Sequence, residues 1–391
     1  MTNLLIKWFI KDGDVNNPKI REQYGELSSF TGIACNIVLF AVKFVMGMIS
    51  GSIAVTSDAF NNLSDSLSCI VTLVSYKLAA KPADKDHPFG HGRIEYLSSL
   101  FIAVLIIMVG FEFLKSSFDK VLHPTPITFN IVVVASLIVS VFVKIWLYSF
   151  NKKLGTITKS STMLATATDS LSDAVTTTVT VGSFILSLVI EMPVDGFIGL
   201  FVSFLIMKAG YGVMKDTVDT LLGKPADDET VKAVMDIIYS YDIVLGVHDM
   251  IVHNYGPGNV MASLHVEVDS KCNILEAHDQ IDRIEAELGE KLHIMTTIHM
   301  DPIETDNVML NELREFVSKV LLEIDERITM HDFRMVPGDS HTNLIFDVVL
   351  PYDIASNRKK IKEDIDRRVS AKYPNHLTVI TFDTDFNEAV R

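Results

Sequence analysis

Residues 53–73 read IAVTSDAFNNLSDSLSCIVTL: a stretch with apolar ends, long enough to cross a bilayer as a helix, and with Asp58, Asn61, Asn62 and Asp65 in its middle. A hydrocarbon core of ~30 Å takes about 20 mainly apolar residues in a helix. Ionisable groups at that depth cost at least ~2.5 kcal/mol each on insertion scales, so they face a protein interior or a water-filled path. Residues 161–181, STMLATATDSLSDAVTTTVTV, repeat the pattern with Asp169 and Asp173. Asn61 with Asp65, and Asp169 with Asp173, stand four apart, which puts each pair on one helix face one turn apart. Two such helices facing each other can aim four oxygen-bearing side chains at one point, the outline of a divalent-cation site.

Working outward, six stretches qualify as spans: roughly 28–50, 53–79, 95–118, 127–150, 162–190 and 194–221. The chain has 391 residues, 48% hydrophobic and 21% charged, with a mean hydropathy of +0.30. This excludes an acidic disordered chain. The net charge of −15 is unevenly placed: residues 1–222 hold 17 Lys+Arg and 17 Asp+Glu, and residues 223–391 hold 17 and 32. A neutral apolar half therefore precedes an acidic, water-compatible half. Lys7, Lys11, Lys19 and Arg21, then Lys77, Lys81, Lys85 and Arg93, then Lys152, Lys153 and Lys159 mark one side of the membrane, with little beyond Lys115 and Lys120 opposite. By the positive-inside rule both termini are cytoplasmic. The opening MTNLLIKWFIKDGDVNNPK lacks the apolar run of a signal peptide and reads as a short amphipathic segment lying on the membrane. Cys35, Cys69 and Cys272 form neither a disulfide framework nor a CxxC metal motif.

Two readings of the intramembrane residues stay open on spacing alone: metal ligation, or Asn and Asp bridging the helices by hydrogen bonds. Three carboxylates with no Lys or Arg read as their neighbour favour a cation, because like charges that close require a counter-cation or protons. Asp58, seven residues before Asp65, is either an extra ligand or a helix cap. Lys43, Glu112 and Lys144 are further charges in spans; Lys144 reads as snorkelling from a span end, and none of the three is assigned a role.

The runs SDAFNNLSD (57–65), KPADKDHPFGHGRIEYL (81–97) and DSLSD (169–173), with this layout, resemble the cation diffusion facilitator family from about residue 28 to 302. HPFGHGR is the most specific part. The resemblance implies a homodimer that exports divalent transition metals in exchange for protons, with transport ligands at Asn61, Asp65, Asp169 and Asp173. Zinc transporters of the family usually carry His at one or two of the first positions of these pairs. Here Asn61 and Asp169 stand there, an all-oxygen set that suits Mn²⁺ and disfavours Zn²⁺ and resembles the family's manganese exporters. The resemblance further implies a loop site at Asp84, His87 and His91, whose alternative is local hydrogen bonding around a Gly90–Gly92 turn. It also implies a hinge between Arg93 and an acid at the end of the sixth span. That acid's position is Gly223 here, which leaves Asp216 or Asp219 as substitutes.

The acidic half alternates helix and strand patterns as αββαβ, the ferredoxin-like cytoplasmic domain the family resemblance implies, with a metal site at His248, His265, His278, His299 and Asp301. HDMIVHNYGPGNVMASLHVEVD (248–269) is echoed by HDFRMVPGDSHTNLIFDVVLP (331–351), and TTIHMDP by VITFDTD, about 82 residues on. The second copy puts His331, Asp347, Lys360, Thr381 and Asp383 at the positions of the five ligands. With most nitrogen ligands gone, it reads as a structural or dimer-stabilising copy rather than a metal site.

The expectation is a membrane α-helical bundle of six transmembrane helices (28–222) after a cytoplasmic segment (1–27), followed by cytoplasmic α+β ferredoxin-like modules at 223–305 and 306–391. It is a Mn²⁺/H⁺ antiporter in an inner or plasma membrane, with lipid, protons, divalent metal and a second copy of itself as partners. No nucleic-acid partner, no catalytic residue and no cofactor beyond transported or regulatory metal is expected. The alternatives are a Zn²⁺ or Fe²⁺ exporter of the same family and a membrane-tethered metal sensor. A metal-dependent intramembrane hydrolase is disfavoured because the six spans contain no His.

Overall fold

The computed structural model describes residues 2–10, 15, 17–50, 53–123, 131–186 and 194–384. The chain divides into two units, residues 1–224 with 254–259, and residues 225–253 with 260–391.

The first unit opens with a short helix, α1 (Thr2–Phe9), followed by six long ones: α2 (Pro18–Ser50), α3 (Ile53–Ala79), α4 (Ile94–Leu122), α5 (Ile131–Thr158), α6 (Ser161–Leu186) and α7 (Val194–Leu222). Four segments, Lys19–Met46, Ile94–Leu122, Val134–Thr158 and Gly196–Leu222, are long and apolar enough to cross a membrane. They lie in α2, α4, α5 and α7. The other two long helices, α3 and α6, are the ones that carry the Asn and Asp pairs. Both solve their polarity locally. Ser66, Thr72, Thr166, Ser170, Ser172, Thr176 and Thr178 each donate a hydroxyl proton to the carbonyl four residues back. A hydroxyl satisfied inside its own helix needs no water. The hydroxyls of Thr72 and Thr166 also meet at 3.4 Å, so the two polar helices do face each other.

The closest pairings are α2 with α3, α4 with α7 and α5 with α6. Gly110 of α4 and Gly210 of α7 allow one of these: a Cβ on Gly110 would lie 2.7 Å from Met207, and one on Gly210 2.9 Å from Ile107. Small residues at such crossings let helix backbones approach. Ile102, Ile106, Ala165, Val202 and Ile206 fill the space between α4, α6 and α7.

One buried ion pair ties the bundle together at the end near α1. Arg21 of α2 donates from Nη2 to Glu95 Oε2 of α4 at 3.1 Å, with side-chain exposures of 8% and 2%. Its Nη1 donates to the carbonyl of Thr158, and Tyr76 OH lies 3.4 Å from Glu95 Oε1. Thr162 Oγ1 donates to the Glu95 carbonyl at 2.6 Å. Arg21 of α2 and Tyr76 of α3 thus reach the Glu95 carboxylate, while α5 and α6 are tied in through the Arg21 guanidinium and the Glu95 backbone carbonyl.

The second unit holds α8 (Asp228–Ile238), β1 (Gly246–Asn254), β2 (Val260–Asp269), α9 (Ile274–Leu292) and β3 (Ile294–Ile303), then α10 (Val308–Ile324), β4 (Thr329–Pro337), β5 (Thr342–Leu350), α11 (Arg358–Lys372) and β6 (His376–Thr384). Each αββαβ run makes its own three-stranded sheet, β1-β2-β3 and β4-β5-β6, with the last strand parallel to the middle one. Asp227, Asn273 and Asn307 accept backbone N–H bonds at the starts of α8, α9 and α10. Val234, Ile238, Leu264, Val266, Ile284 and Leu288 form one core, and Leu313, Val317, Leu344, Phe346, Ile365 and Val369 the other. Two separate cores make these two modules rather than one extended domain.

Removing one partner of a buried pair leaves an uncompensated charge, which costs about 3–5 kcal/mol. Glu95→Ala is therefore expected to lower the melting temperature of the detergent-solubilised protein strongly, and Glu95→Gln, which keeps the hydrogen bonds, by less. Melting of the Ala variant at the parent temperature would show that this pair does not tie α2 to α4.

Candidate metal centres

The intramembrane cluster is built on three helices. Lys144 of α5 places Nζ 2.6 Å from Asp65 Oδ2 of α3 and 2.6 Å from Asp173 Oδ2 of α6, with only 5% of its side chain exposed. Charge-assisted bonds this short are among the strongest side-chain contacts available. Asp169 lies close enough for the charges of Asp173, Asp65 and Lys144 to act on it, and Lys43, buried on α2, acts on Asp65.

This corrects two sequence expectations. The carboxylates do have a basic neighbour, and Lys144 does not snorkel. Its span was expected to end at residue 150, but α5 runs on to Thr158 and leaves Lys144 at mid-helix, buried against the two carboxylates. The missed signal was the continuation NKKLGTIT, which contains no helix breaker other than one glycine. Asn61 differs from its expected place as well: it is exposed on α3, and no contact among the described residues joins it to the carboxylates. The side chain of Asp58 lies outside the described residues.

Between α3 and α4 the loop brings Asp84, His87 and His91 together, one ligand atom of each within 4.8 Å of the others. Asp84 Oδ1 is 3.4 Å from His87 Nδ1, and Oδ2 is 3.4 Å from His91 Nε2. The His87 and Asp86 backbone N–H groups donate to Asp84 and hold its carboxyl below the usual range. His91 is largely buried, and its Nδ1 makes no hydrogen bond. Arg93 closes the loop without an acid: its guanidinium donates to the carbonyl of Asn254, at 3.0 Å from Nη2, and lies over the ring of Tyr255. No contact among the described residues joins Arg93 to Asp216 or Asp219, so the hinge pair expected from the sequence is replaced by a backbone contact.

In the second unit strand pairing assembles the histidines. The parallel register of β2 and β3 sets His265 opposite His299, and His248 comes from β1. Asp301 is their common partner: Oδ2 lies 2.8 Å from His265 Nδ1 and 3.3 Å from His248 Nε2, and Oδ1 lies 3.2 Å from His299 Nε2. A carboxylate that shares its two oxygens among three imidazoles is placed to bridge cations. His278 is not brought here. It sits on α9, 69% exposed, with Asp282 at 3.4 Å. Asp249, not anticipated, lies 3.3 Å from His248 Nδ1. The imidazoles of His248 and His331 beside it hold its carboxyl well below the usual range. The signal for it was the repeated His-Asp dipeptide at 248–249 and 331–332.

Comparison with known proteins follows this division. A family model described as the cation efflux transmembrane domain matches residues 29–222, and one described as the cation efflux protein cytoplasmic domain matches residues 226–303. The chain is similar to the manganese efflux system protein MneS of Bacillus subtilis, 28% identical over 286 residues that make up 72% of this chain and 96% of that protein. It is also similar to the cation-efflux pump FieF of Shewanella oneidensis, at 24% identity over 72% of this chain and 95% of that protein. The manganese efflux system protein MneP of Bacillus subtilis is 23% identical over 72% of this chain and 97% of its own length.

Because Asp301 touches three imidazoles, Asp301→Asn is expected to weaken metal binding at this cluster by ~10–100-fold, the range seen when a ligand's partner is lost, and by more than His299→Ala. Equilibrium dialysis of the two variants with Zn²⁺ or Mn²⁺ ranks them, and the reverse order would remove Asp301 from the centre of the site.

Proposed function

This chain belongs to the cation efflux family, the cation diffusion facilitators, whose work is to move divalent cations out across a membrane, and from that premise we propose that it is a homodimeric, six-span Mn²⁺/H⁺ antiporter. The observation that carries the reading is the junction of Asp65, Lys144 and Asp173 among the long helices, where a tethered ammonium occupies the place of a cation between carboxylates. Asp65, Asp169 and Asp173 are the ion's ligands and the exchangeable proton sites. Asn61, one turn from Asp65, is the fourth oxygen and comes into play as α3 moves during the cycle.

An all-oxygen set favours a hard ion over zinc, and similarity to two proteins named as manganese efflux systems supports the same choice. The three carboxylates and Lys144 sum to −2, the charge that one divalent ion or two protons neutralise. An incoming metal competes with the Lys144 ammonium for Asp65 and Asp173, so the site does not collapse into bare repulsion between turnovers. Rocking of the bundle then presents the site to either side. All six long helices cross the membrane with the Lys/Arg-rich loops inside, and the polarity of α3 and α6 is tolerable because they face protein rather than lipid. The acidic modules, strongly negative in each copy, repel across a dimer until cations neutralise them.

Mn²⁺ flux into reconstituted vesicles tests this reading. Asp173→Ala is expected to reduce flux to the level of protein-free vesicles, and parental flux would remove the site. Asn61→His is expected to shift the preference toward Zn²⁺, and an unchanged ratio counts against ligand softness as its cause. Lys144→Met removes the internal competitor, so KM for Mn²⁺ is expected to fall several-fold while turnover slows. An unchanged KM would make Lys144 a structural pin only.

A further inference from the structure

The second module does more than copy the first. His331 and Asp332 on β4 repeat His248 and Asp249 on β1, and both aspartates adopt left-handed backbone, with φ of 55° for Asp332 and 51° for Asp249. That conformation is uncommon for any residue but glycine, though Asp tolerates it better than most. The two imidazoles of the repeat stack on each other across the modules, with ring centroids 4.3 Å apart and planes 24° apart. Each aspartate serves the other module. Asp332 offers a carboxylate oxygen within 4.8 Å of ligand atoms of His248 and Asp301, and Asp249 does the same for His331 and Asp383.

The far side of this exchange joins Asp249 to His331, Asp347 and Asp383, three residues that lie beyond residue 303, where the matched cytoplasmic-domain model ends. His331 is 8% exposed, and its buried Nε2 makes no hydrogen bond. Three carboxylates surround that nitrogen: Asp249 Oδ2 at 3.3 Å, Asp383 Oδ2 at 3.9 Å and Asp347 Oδ2 at 4.0 Å. Asp347 stands opposite His331 in the β4–β5 ladder, and Asp383 opposite Val349 in β5–β6. A buried ring nitrogen within 4.0 Å of three carboxylates from two modules is a ligand set, not a surface ion pair.

We propose that Asp249, His331, Asp347 and Asp383 form a second cation site, built across the contact between the two modules, which takes a hard divalent ion such as Mn²⁺ and clamps one module to the other. One imidazole and up to six carboxylate oxygens match the preference of Mn²⁺ and exclude the thiolate or multi-histidine set that zinc favours. The histidine cluster around Asp301 and this oxygen-rich site are then two unlike sites, coupled because Asp249 lies between His248 and His331. The module that lost most of its nitrogen ligands has changed its metal preference rather than its ability to bind.

The test uses the full-length protein in detergent. Mn²⁺ binding is counted by loss of the free-ion paramagnetic resonance signal, alongside the metal-dependent rise in melting temperature. Asp347→Asn/Asp383→Asn, which removes repelling charges without removing volume, is expected to bind one Mn²⁺ fewer per chain than the parent and to lose part of the melting shift. Asp173→Ala, which is expected to subtract a different ion, serves as the comparison, and the combined variant should lose two. His331→Gln, whose metal-free melting reports whether the modules still pair, should show the same loss of one ion. The same ion count and the same shift in the Asn variant would overturn the site, as would a His331→Gln variant that binds the full complement.

Discussion

Three carboxylates placed inside a helical bundle are the constraint from which the rest of the first unit follows. Asp65 and Asp173 lie against a single ammonium at 2.6 Å, and Asp169 stands within reach of all three charges. A helix that carries such groups needs its polar atoms satisfied, and in α3 and α6 the Ser and Thr hydroxyls are taken up by their own backbones. The segments long and apolar enough to cross a membrane lie in α2, α4, α5 and α7. Small residues such as Gly110 and Gly210 let α4 and α7 pack closely. The same economy recurs at Arg21 and Glu95, where one charge pair gathers several helices.

A tethered cation gives this arrangement its functional character. A site made of carboxylates alone would depend on protons or metal for its integrity at every step. Lys144 supplies one covalently tethered positive charge, so on the proposed antiport cycle only the remaining negative charge is exchanged. Its two short contacts span α3 and α6 from α5 and tie the three helices together. On the proposed cycle a metal that replaced the ammonium between those carboxylates would release that tie.

Much of this was legible in the residues themselves, and the failures have physical causes. The i, i+4 pairs Asn61/Asp65 and Asp169/Asp173 identified the two polar helices, because few other patterns justify Asp in an apolar helix long enough to span a membrane. The periodicity of the acidic half showed the αββαβ order and its repeat. Lys144 was missed because a hydropathy reading ends a span where polar residues begin, whereas α5 continues through NKKLGTIT to Thr158. His278 was placed by resemblance, but spacing along α9 says nothing of which way that helix faces, and it points to solvent. Asp249 and Asp332 were invisible because their role depends on a left-handed backbone and on contact between modules, neither of which has a local sequence signature beyond a repeated dipeptide.

Net charge follows the same logic at larger scale. The whole of the −15 lies in residues 223–391, and part of it is concentrated where Asp249, Asp347 and Asp383 surround one imidazole. Burial, with the charges of Asp249 and Asp347, holds the Asp383 carboxyl above its ordinary value. Burial acts to lower the His331 imidazole, but the neighbouring Asp249, Asp347 and Asp332 carboxylates outweigh it and hold the ring above its ordinary value. Both shifts express one imbalance: more negative charge than the local protein cations neutralise. Surface acidity serves solubility and is spread out, whereas acidity gathered around a buried imidazole opposes the packing of the two modules. His331 and Arg358 offset only part of it at Asp383, and at the site proposed above a divalent ion would offset the rest. Lys144 likewise meets only part of the carboxylate charge in the first unit, so both halves hold more negative charge at one point than the adjoining protein cations balance.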